Sequence, residues 1–309
     1  MKNEAYAIIV SYNPGNEFLD VITSLSNQNI NIVIIDNGST DISYNIAEFF
    51  TQNKDENISI RRLSKNIGLA KAQNIGIREI LEIEKGKKEF IFFFDQDTIV
   101  PVDYVKKMIN AYNTYEQANP SVKIGILAPN YLDKNIGDFA HFAELTSNSY
   151  RDKSFKRERF LEVSFVISSG SMMTIEVLRK NGRFMNEFFI DQIDTEYCLR
   201  NLSNGYKVIA TSDVLLKHTI GNRQKKQFLF LTIKPNYHSA LRKYFIFRNG
   251  VITMQKYKSE FPGFKVLMLK RFIHDFLGVV LYEDSKWEKI KAMHRGLKEG
   301  FKANYDEYI

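Results

Sequence analysis

Asp95 and Asp97 are two carboxylates one residue apart, and they directly follow the apolar run of residues 90–94. A buried strand that ends in two negative charges needs a positive partner, and a divalent cation carrying a nucleotide diphosphate is the leading candidate. Aspartate is also common in the turns that follow strands, and an isolated Asp-x-Asp pattern often arises by chance. The surrounding segments therefore decide between a metal site and an ordinary turn.

The first half of the chain alternates between patterns typical of short buried strands and patterns typical of helices. The predicted strands are residues 5–11, 30–36, 58–63, 90–94 and 124–128, and the predicted helices are residues 18–28, 42–53, 69–84 and 104–117. This order predicts an α/β fold with right-handed connections and a mainly parallel central sheet flanked by helices. Ligands of such sheets bind beyond the carboxyl ends of the strands, so the loops after the first, second and fourth strands should face one crevice.

Polar side chains occupy the first two of these loops. Ser11 and Asn13 follow the first strand, and Asp36 ends the second. A carboxylate there can accept the N3–H of uracil or thymine, whose imide edge offers one donor between two carbonyls. Residues 37–41 are also rich in turn formers and helix caps, so a plain strand-to-helix turn is the alternative.

A further polar segment precedes the third predicted helix. Lys65, Asn66 and Gly68 stand where backbone N–H groups and an ammonium can approach phosphate oxygens. The alternative is a tight turn, with Gly76 allowing the helix to pack closely.

Composition limits the class of protein. The chain has 309 residues, of which 44% are hydrophobic and 13% aromatic, enough to bury a sizeable core. Its single cysteine, Cys198, excludes an internal disulfide and a thiolate zinc site, which fits a reducing compartment. The amino-terminal apolar run is too short for a signal peptide, and no stretch approaches the roughly 20 apolar residues of a membrane span. We therefore expect a cytoplasmic protein.

Positive charge is concentrated in the last part of the chain. Residues 223–309 carry 18 Lys and Arg against 8 Asp and Glu, a net +10, whereas residues 1–222 carry a net −3. The absence of zinc and RNP-like motifs argues against nucleic acid as the partner. Within residues 264–282 a helical stripe is expected at Val266, Leu269, Ile273, Phe276, Leu277 and Val280. That stripe predicts either contact with an anionic membrane surface or a core-packing helix with a basic, solvated face.

Residues 8–13, 34–41, 66–76 and 93–97 together carry a family resemblance. Their motifs occur in the order found in inverting family 2 glycosyltransferases of the GT-A fold, and the sequence looks most like the bacterial rhamnosyltransferase branch. Members of that branch typically take L-rhamnose from dTDP-rhamnose and add it to growing surface polysaccharides. The resemblance implies a GT-A catalytic domain over residues 1–222, of Rossmann-like α/β type with a mixed, mainly parallel sheet. Residues 223–309 would then be a mostly helical, basic extension for acceptor or membrane association.

The resemblance also implies roles for individual residues. It implies that Asp36 reads the pyrimidine, that Asp95 lies near the ribose and the metal, and that Asp97 coordinates Mg2+ or Mn2+. His218 begins a His-x-x-Gly segment that in the family helps to bind metal or diphosphate, although a lone histidine is more often structural. The residues expected to contact the nucleotide-sugar donor are Ser11, Asn13, Asp36, Asn66, Gly68, Asp95 and Gln96.

Sugar transfer with inversion also needs a carboxylate that takes the proton of the acceptor hydroxyl. In related enzymes this base belongs to an acidic pair at a helix start, but here Ile193 stands where the first acid is often found. Asp194 aligns with the second acid and is the first choice, followed by Asp191 and then Glu196. Asp191 and Asp194 are three residues apart, so a helix-capping box is the alternative.

Three other features remain open. Residues 167–173 resemble the family's small-residue segment before the acceptor helix, or else form a strand with a glycine bulge. Residues 242–249 either contact a phosphate or form a basic amphipathic helix. Arg200 either holds the acidic helix through an ion pair or is an ordinary surface charge.

Together these features predict an enzyme that transfers one sugar per encounter to a saccharide acceptor, because the Gln-x-x-Arg-Trp signature of processive synthases is absent. The acceptor is expected to be linked to polyprenyl diphosphate at the inner face of the cell membrane, where the enzyme would be peripheral. The alternatives are a transferase using a UDP-sugar such as UDP-galactofuranose, and a non-catalytic sugar-nucleotide or membrane-binding module. A nucleotidyltransferase is disfavoured because residues 11–14 do not resemble a glycine-rich phosphate loop.

Overall fold

The computed structural model describes residues 5–83, 89–218, 224–228 and 231–303 of the chain. Its strands are β1 Ala5–Ser11, β2 Asn31–Asp36, β3 Ile58–Arg62, β4 Phe90–Asp95, β5 Ile124–Asp133, β6 Phe142–Leu145, β7 Tyr150–Lys153, β8 Phe160–Val163, β9 Met172–Thr174, β10 Lys207–His218, β11 Lys226–Phe228 and β12 Leu231–Ile233. Its helices are α1 Glu17–Ser26, α2 Tyr44–Gln52, α3 Leu69–Ile83, α4 Tyr104–Ala118, α5 Ile175–Asn181, α6 Ile193–Ser203, α7 Ala240–Lys256, α8 Pro262–Tyr282 and α9 Lys286–Lys302.

Eight strands form one central sheet in the order β3-β2-β1-β4-β9-β5-β10-β8. The strands from β3 to β4 are parallel, as are β5 and β10, whereas β9 and β8 run antiparallel to their neighbours. The predicted mixed, mainly parallel α/β sheet is therefore confirmed. The predicted elements of the first half also agree with the observed ones, except that β5 continues to Asp133. It does so because its last residues pair with Leu215–His218 of β10.

Both faces of the sheet are covered, which explains the continuous apolar run of β4. Phe92 and Phe94 lie on one face beside Tyr104 of α4, and Phe93 lies on the other beside Phe184. In a strand whose two faces are both buried, polar and apolar residues do not alternate, and the sequence is continuously apolar.

The C-terminal helices belong to the core that lies on one side of this sheet. Phe247 and Val251 of α7 and Phe264 of α8 are in the same buried cluster as Ile8 of β1. The three last helices are also joined by buried charges. The Lys243 ammonium, on α7, donates to Asp275 of α8 at 2.6 Å and to Glu283 at 3.1 Å, and Lys289 of α9 donates to the other oxygen of Glu283 at 3.0 Å. Lys243 is fully buried.

Four of the six residues of the stripe predicted within residues 264–282 face away from the core, whereas Leu277 and Val280 are half-buried. α8 buries its other side instead, with the side chains of Phe264, Leu267, Met268, Phe272 and Val279. Val266, Leu269, Ile273 and Phe276 are exposed. The interpretation of this stripe as a core-packing face is therefore wrong for these four residues. Over the described part of the chain, α8 and the other helices are too short or too polar to cross a membrane.

Candidate active site

The carboxyl ends of β1, β2 and β4 lie side by side, so the loops that follow them are neighbours at the edge of the sheet where the sequence predicts a crevice. Ser11 is in register with Asp36, and Val10 with Asp95. The Gln96 side chain joins the loop after β4 to the loop after β1, since its Oε1 accepts from Tyr12 N at 2.7 Å and its Nε2 donates to Tyr12 O at 3.4 Å. Gln96, predicted to contact the donor, thus also fixes the loop of β1.

Asp36 is the last residue of β2 and is fully buried. Its Oδ1 accepts from the backbone N–H of Ser39 at 3.2 Å and from the Ser39 hydroxyl, and its Oδ2 accepts from Arg62 Nε at 3.1 Å. The Arg62 guanidinium also stacks over Phe50, 5.5 Å from the ring centre. A carboxylate has about four lone-pair positions, and these three bonds fix the orientation of Asp36.

Asn13 shapes the turn after β2. Its backbone lies in the left-handed region at φ 44°, its N–H donates to Ser39 Oγ at 2.8 Å, and its Oδ1 accepts from Thr40 N at 2.8 Å. Ser11 is fully buried next to it. Among the described side chains, Ser11 Oγ is one of the few buried polar atoms without a hydrogen-bond partner, which suits a ligand group at this point.

The segment before α3 is fastened to the same turn. Asn66 Oδ1 accepts from Asn37 Nδ2 at 3.1 Å and from Gly68 N at 2.9 Å. Gly68 has a φ of +91°, and a Cβ there would collide with Phe189, whose carbonyl accepts from Leu69 N at 2.6 Å. Glycine is therefore required both by the backbone conformation and by the space.

Asp95 ends β4 and is half-buried, and Asp97 in the loop that follows is exposed. Ser169 supports this loop from the small-residue segment, since its Oγ accepts from Asp95 N at 3.2 Å and lies 2.7 Å from Thr98 Oγ1. Over the described residues, no group of three or more His, Cys, Asp or Glu side chains is gathered to hold a metal ion. Mg2+ is commonly bound by one or two carboxylates together with substrate phosphates and water, so Asp95 and Asp97 fit an ion that arrives with a diphosphate. The side chain of His218, the third predicted ligand, lies outside the described residues.

Asp191 and Asp194 lie at the amino-terminal end of α6. Asp191 and the N-cap residue Gln192 both have left-handed backbones, with φ of 65° and 63°. The N-cap is Gln192 and not Asp191, and its side chain makes no capping bond, so the capping box of Asp191 and Asp194 offered as an alternative is not formed. Gln192 Oε1 is, like Ser11 Oγ, a buried polar atom without a hydrogen-bond partner among the described side chains. This turn therefore holds the side chains of Asp191 and Gln192 in place without using them to cap α6.

Arg242 of α7 binds Asp191. Its Nε donates to Asp191 Oδ2 at 3.0 Å and its Nη2 to Oδ1 at 3.1 Å, and Asn249 Nδ2 donates to the Asp191 carbonyl at 3.1 Å. Burial raises the pKa of Asp191 more than Arg242 lowers it. Residues 242–249, left open by the sequence, thus form a helix whose first turn reaches the site.

Asp194 keeps a different environment. Its Oδ1 accepts from Thr195 N at 2.7 Å. Burial raises the pKa of Asp194, the Thr195 N–H opposes that shift, Asp191 adds to it, and the positive charge of Arg271 on α8 opposes it. A carboxylate with a raised pKa is a stronger base than an ordinary aspartate, which suits it to taking a proton.

Glu196, the third candidate, is part of a structural cluster. Its two oxygens accept from Arg200, and Oε1 also accepts from Lys256 Nζ at 3.0 Å and from the Tyr257 hydroxyl at 2.8 Å. Burial alone would raise the pKa of Glu196, but Arg200 and Lys256 outweigh it and hold that pKa below its usual value. Arg200 is therefore an ion-pair partner and not a plain surface charge.

Arg242, from the C-terminal helix α7, interacts electrostatically with carboxylates of two separate segments. The pKa of Arg242 is raised, because the charges of Asp191, Asp95 and Asp194 outweigh the effect of its own burial. Arg242 therefore lies within electrostatic reach of both the Asp-x-Asp loop and α6. The sequence pattern gave no sign of the roles of Arg62, Ser169 and Arg271, because each depends on a contact between distant segments.

Comparison with known proteins agrees with this architecture. The sequence model of Glycosyl transferase family 2 matches residues 6–182. The dTDP-rhamnosyl transferase RfbF of Shigella flexneri is 34% identical over 299 residues, covering 96% of this chain and 93% of that protein. An uncharacterized glycosyltransferase of Methanocaldococcus jannaschii, MJ1057, is 24% identical, covering 77% of this chain and 80% of that protein.

Solved structures with the same fold are GT-A glycosyltransferases. Residues 1–349 of TarS from S. aureus superpose with a TM-score of 0.52 at 15% identity, covering 99% of this chain and 73% of that one. GalNAc-T7, solved with UDP, GalNAc and Mn2+, superposes with a TM-score of 0.58 at 13% identity, covering 98% of this chain and 56% of that one. At such low identity these likenesses concern the fold alone.

Proposed function

The chain belongs to glycosyltransferase family 2, and from that membership we propose that it transfers L-rhamnose from dTDP-L-rhamnose to a saccharide acceptor with inversion at the anomeric carbon. The choice of donor is supported by the similarity to dTDP-rhamnosyl transferase RfbF, which extends over nearly the whole of both chains. The observation that carries the reaction is the pair of environments at α6, where Asp191 is bound by Arg242 and Asp194 has a raised pKa.

Donor binding is assigned to the crevice of β1, β2 and β4. Asp36 accepts the N3–H of the thymine, held in place by Arg62 and Ser39. Asp95 and Asp97 would hold Mg2+ or Mn2+, which when bound neutralises negative charge on the diphosphate. Arg242 adds a fixed positive charge on the side of α6. Together these groups stabilise the charge that develops on the departing dTDP.

Asp194 is assigned as the general base. The acceptor oxygen forms its bond to the anomeric carbon while the bond from that carbon to the β-phosphate oxygen breaks. The hydroxyl proton passes to Asp194, and dTDP leaves with the electron pair. Attack and departure on opposite faces of the sugar invert the anomeric configuration. Asp191 has a positioning role, since its carboxylate fixes Arg242.

The acceptor is proposed to be a lipid-linked saccharide, and the protein to be peripheral on the inner face of the cell membrane. The net +10 of residues 223–309 supports this, because anionic lipids attract basic segments. The C-terminal helices that carry this charge also supply Arg242 and Arg271 to the site.

The test is a donor panel given to the purified full chain. dTDP-rhamnose, UDP-galactofuranose and other UDP-sugars are each supplied with synthetic saccharides on a polyprenyl diphosphate or a short soluble alkyl chain. Mg2+, Mn2+ or EDTA is present, and released nucleotide and product are measured. We expect dTDP release from dTDP-rhamnose that requires an acceptor and a divalent ion, and NMR of the product should show the inverted anomer. Turnover only with a UDP-sugar would refute dTDP-rhamnose as the donor. Turnover in EDTA would refute the requirement for a divalent ion.

A further inference from the structure

The exposed face of α8 is an apolar stripe, formed by Val266, Leu269, Ile273 and Phe276. These four side chains are between 42% and 61% exposed. Their spacing of three, four and three residues places them along one line on the helix surface. We call this set the α8 stripe.

Basic side chains border the α8 stripe on both sides. At about 100° per residue, Lys265 and Lys270 fall on opposite edges of it, and both are exposed. The Lys270 ammonium also lies 5.2 Å from the centre of the Tyr150 ring, which holds this cation near the stripe. An apolar line with cations on either side is the pattern of a helix that lies in a membrane interface.

The opposite face of α8 is fixed to the rest of the protein. Phe272 stacks on Phe247 of α7 with ring centres 4.4 Å apart, and Phe264 packs against Phe165 at 5.5 Å. Asp275 receives the buried Lys243 ammonium from α7. The helix is therefore already packed through one face, and the α8 stripe is a second, separate surface.

α8 also contributes to the catalytic site. Arg271 follows Lys270 directly, and its positive charge acts on the pKa of Asp194. The same helix thus presents an apolar, lysine-bordered face outward and a cation toward the catalytic base. At about 100° per residue, the α8 stripe and Arg271 lie on opposite sides of the helix.

Charge decides between the two candidate occupants. If a second copy paired with the stripe through a twofold axis, each copy would bring Lys265 and Lys270 to the same interface, and like charges at an interface are costly. In an anionic lipid bilayer the apolar side chains of the stripe can insert among the acyl chains, and the lysines can pair with negative headgroups.

We propose that the α8 stripe, with Lys265 and Lys270, is the surface by which this protein binds an anionic phospholipid bilayer. The proposal rests on the proposed function in that a lipid-linked acceptor gives the contact its use. It assigns the attachment to a defined face instead of to the basic tail as a whole.

Vesicle co-sedimentation of the full chain tests the proposal. The vesicles contain phosphatidylcholine alone or phosphatidylcholine and phosphatidylglycerol in equal parts. Ile273→Glu with Phe276→Glu should weaken binding to the anionic vesicles roughly tenfold or more. Lys265→Gln with Lys270→Gln should weaken it about fivefold for each lysine and reduce its salt dependence. The matched control is Ile83→Glu with Phe301→Glu, which adds the same charge at exposed apolar positions elsewhere and should keep most of the binding.

Other readouts separate the possible failures. Thermal unfolding and transfer to a soluble, short-chain acceptor should be the same for the stripe variant and wild type. If wild type binds vesicles through the stripe but transfers no sugar, the proposed function fails and the membrane surface stands. The proposal that the α8 stripe binds the membrane is wrong if the stripe variant and the control lose vesicle binding equally. It is also wrong if wild type binds neither vesicle type. A dimer in light scattering that the stripe variant dissociates, without vesicle binding, would assign the face to a second copy instead.

Discussion

The Arg242 guanidinium donates to both carboxylate oxygens of Asp191, at 3.0 and 3.1 Å, across a gap of 51 residues in the chain. This bidentate pair occupies the carboxylate of one candidate base. In the proposed mechanism the base is therefore Asp194, three residues further on.

Replacing Asp194 by Asn tests the general base. Without a proton acceptor, sugar transfer should fall by about a hundredfold to ten-thousandfold. The affinity for dTDP, measured by calorimetry, should stay unchanged because Asp194 is not assigned to the nucleotide. Transfer at the wild-type rate would remove Asp194 from the mechanism.

The pH profile of transfer tests the electrostatics around Asp194. Burial raises its pKa, and the base form must be deprotonated, so the acid limb of kcat/KM should lie above the usual aspartate value of about 3.9. Arg271→Gln removes a charge that lowers this pKa, so the acid limb should move further up. Lys265→Gln, which removes an equal charge from the same helix, is the control and should leave the limb in place with a soluble acceptor. An acid limb at the same pH in wild type and Arg271→Gln would contradict the assignment.

A double-mutant cycle tests the pair of Arg242 and Asp191. The Arg242 side chain is 39% exposed, so the pair lies between a surface and a buried ion pair. Arg242→Gln leaves a largely buried carboxylate without its cation and should lower the free energy of unfolding by about 1–2 kcal/mol. Adding Asp191→Asn should recover part of that loss in urea unfolding. Strictly additive effects would mean that the two residues are not coupled.

Asp97→Asn tests the metal. Asp97 is exposed, so its replacement should leave the melting temperature unchanged. The Mn2+ concentration that gives half-maximal transfer should rise about tenfold or more, because one charged ligand is lost. The rate at saturating metal should recover in part. Equal metal dependence in variant and wild type would exclude Asp97 as a ligand.

Glu196→Gln tests the structural cluster at α6. The carboxylate is almost fully buried among Arg200, Lys256 and Tyr257, so removing its charge should cost about 3–5 kcal/mol of unfolding free energy at neutral pH. The folded-state pKa of Glu196 is lowered, so its stabilisation is present above the unfolded value of about 4.3 and is lost as the pH falls through the folded value. The difference between variant and wild type in urea unfolding should therefore shrink below about pH 4. A difference that stays constant from pH 7 to pH 3 would contradict the ion-pair role.

The features that could be predicted from the sequence are those that depend on local patterns of residues. The strands with Ser11, Asp36 and Asp95 at their ends follow from apolar runs, and parallel pairing then brings those ends together. The choice between Asp191 and Asp194 could not be made in the same way, because the partner of Asp191 lies on α7. The Arg62 that orients Asp36 is likewise set by strand register, which a single sequence does not display.

The orientation of α8 could not be read from its periodicity. Both Val266 and Leu267 begin apolar lines along the helix, and one line is exposed while the other is buried. Which line meets the core depends on the neighbours, here Phe247 and Phe165. Periodicity identifies a face, and tertiary packing decides what that face contacts.

Three side chains bond to the backbone of neighbouring loops and hold the walls of the proposed nucleotide crevice together. Gln96 bonds to Tyr12, Asn13 to Thr40 and Asn37 to Ile67. Walls connected in this way have little conformational entropy left to lose when a nucleotide enters. In the proposed donor site, specificity for the nucleobase would therefore already be built into the unliganded enzyme, and a change of nucleotide would require changes in several loops at once.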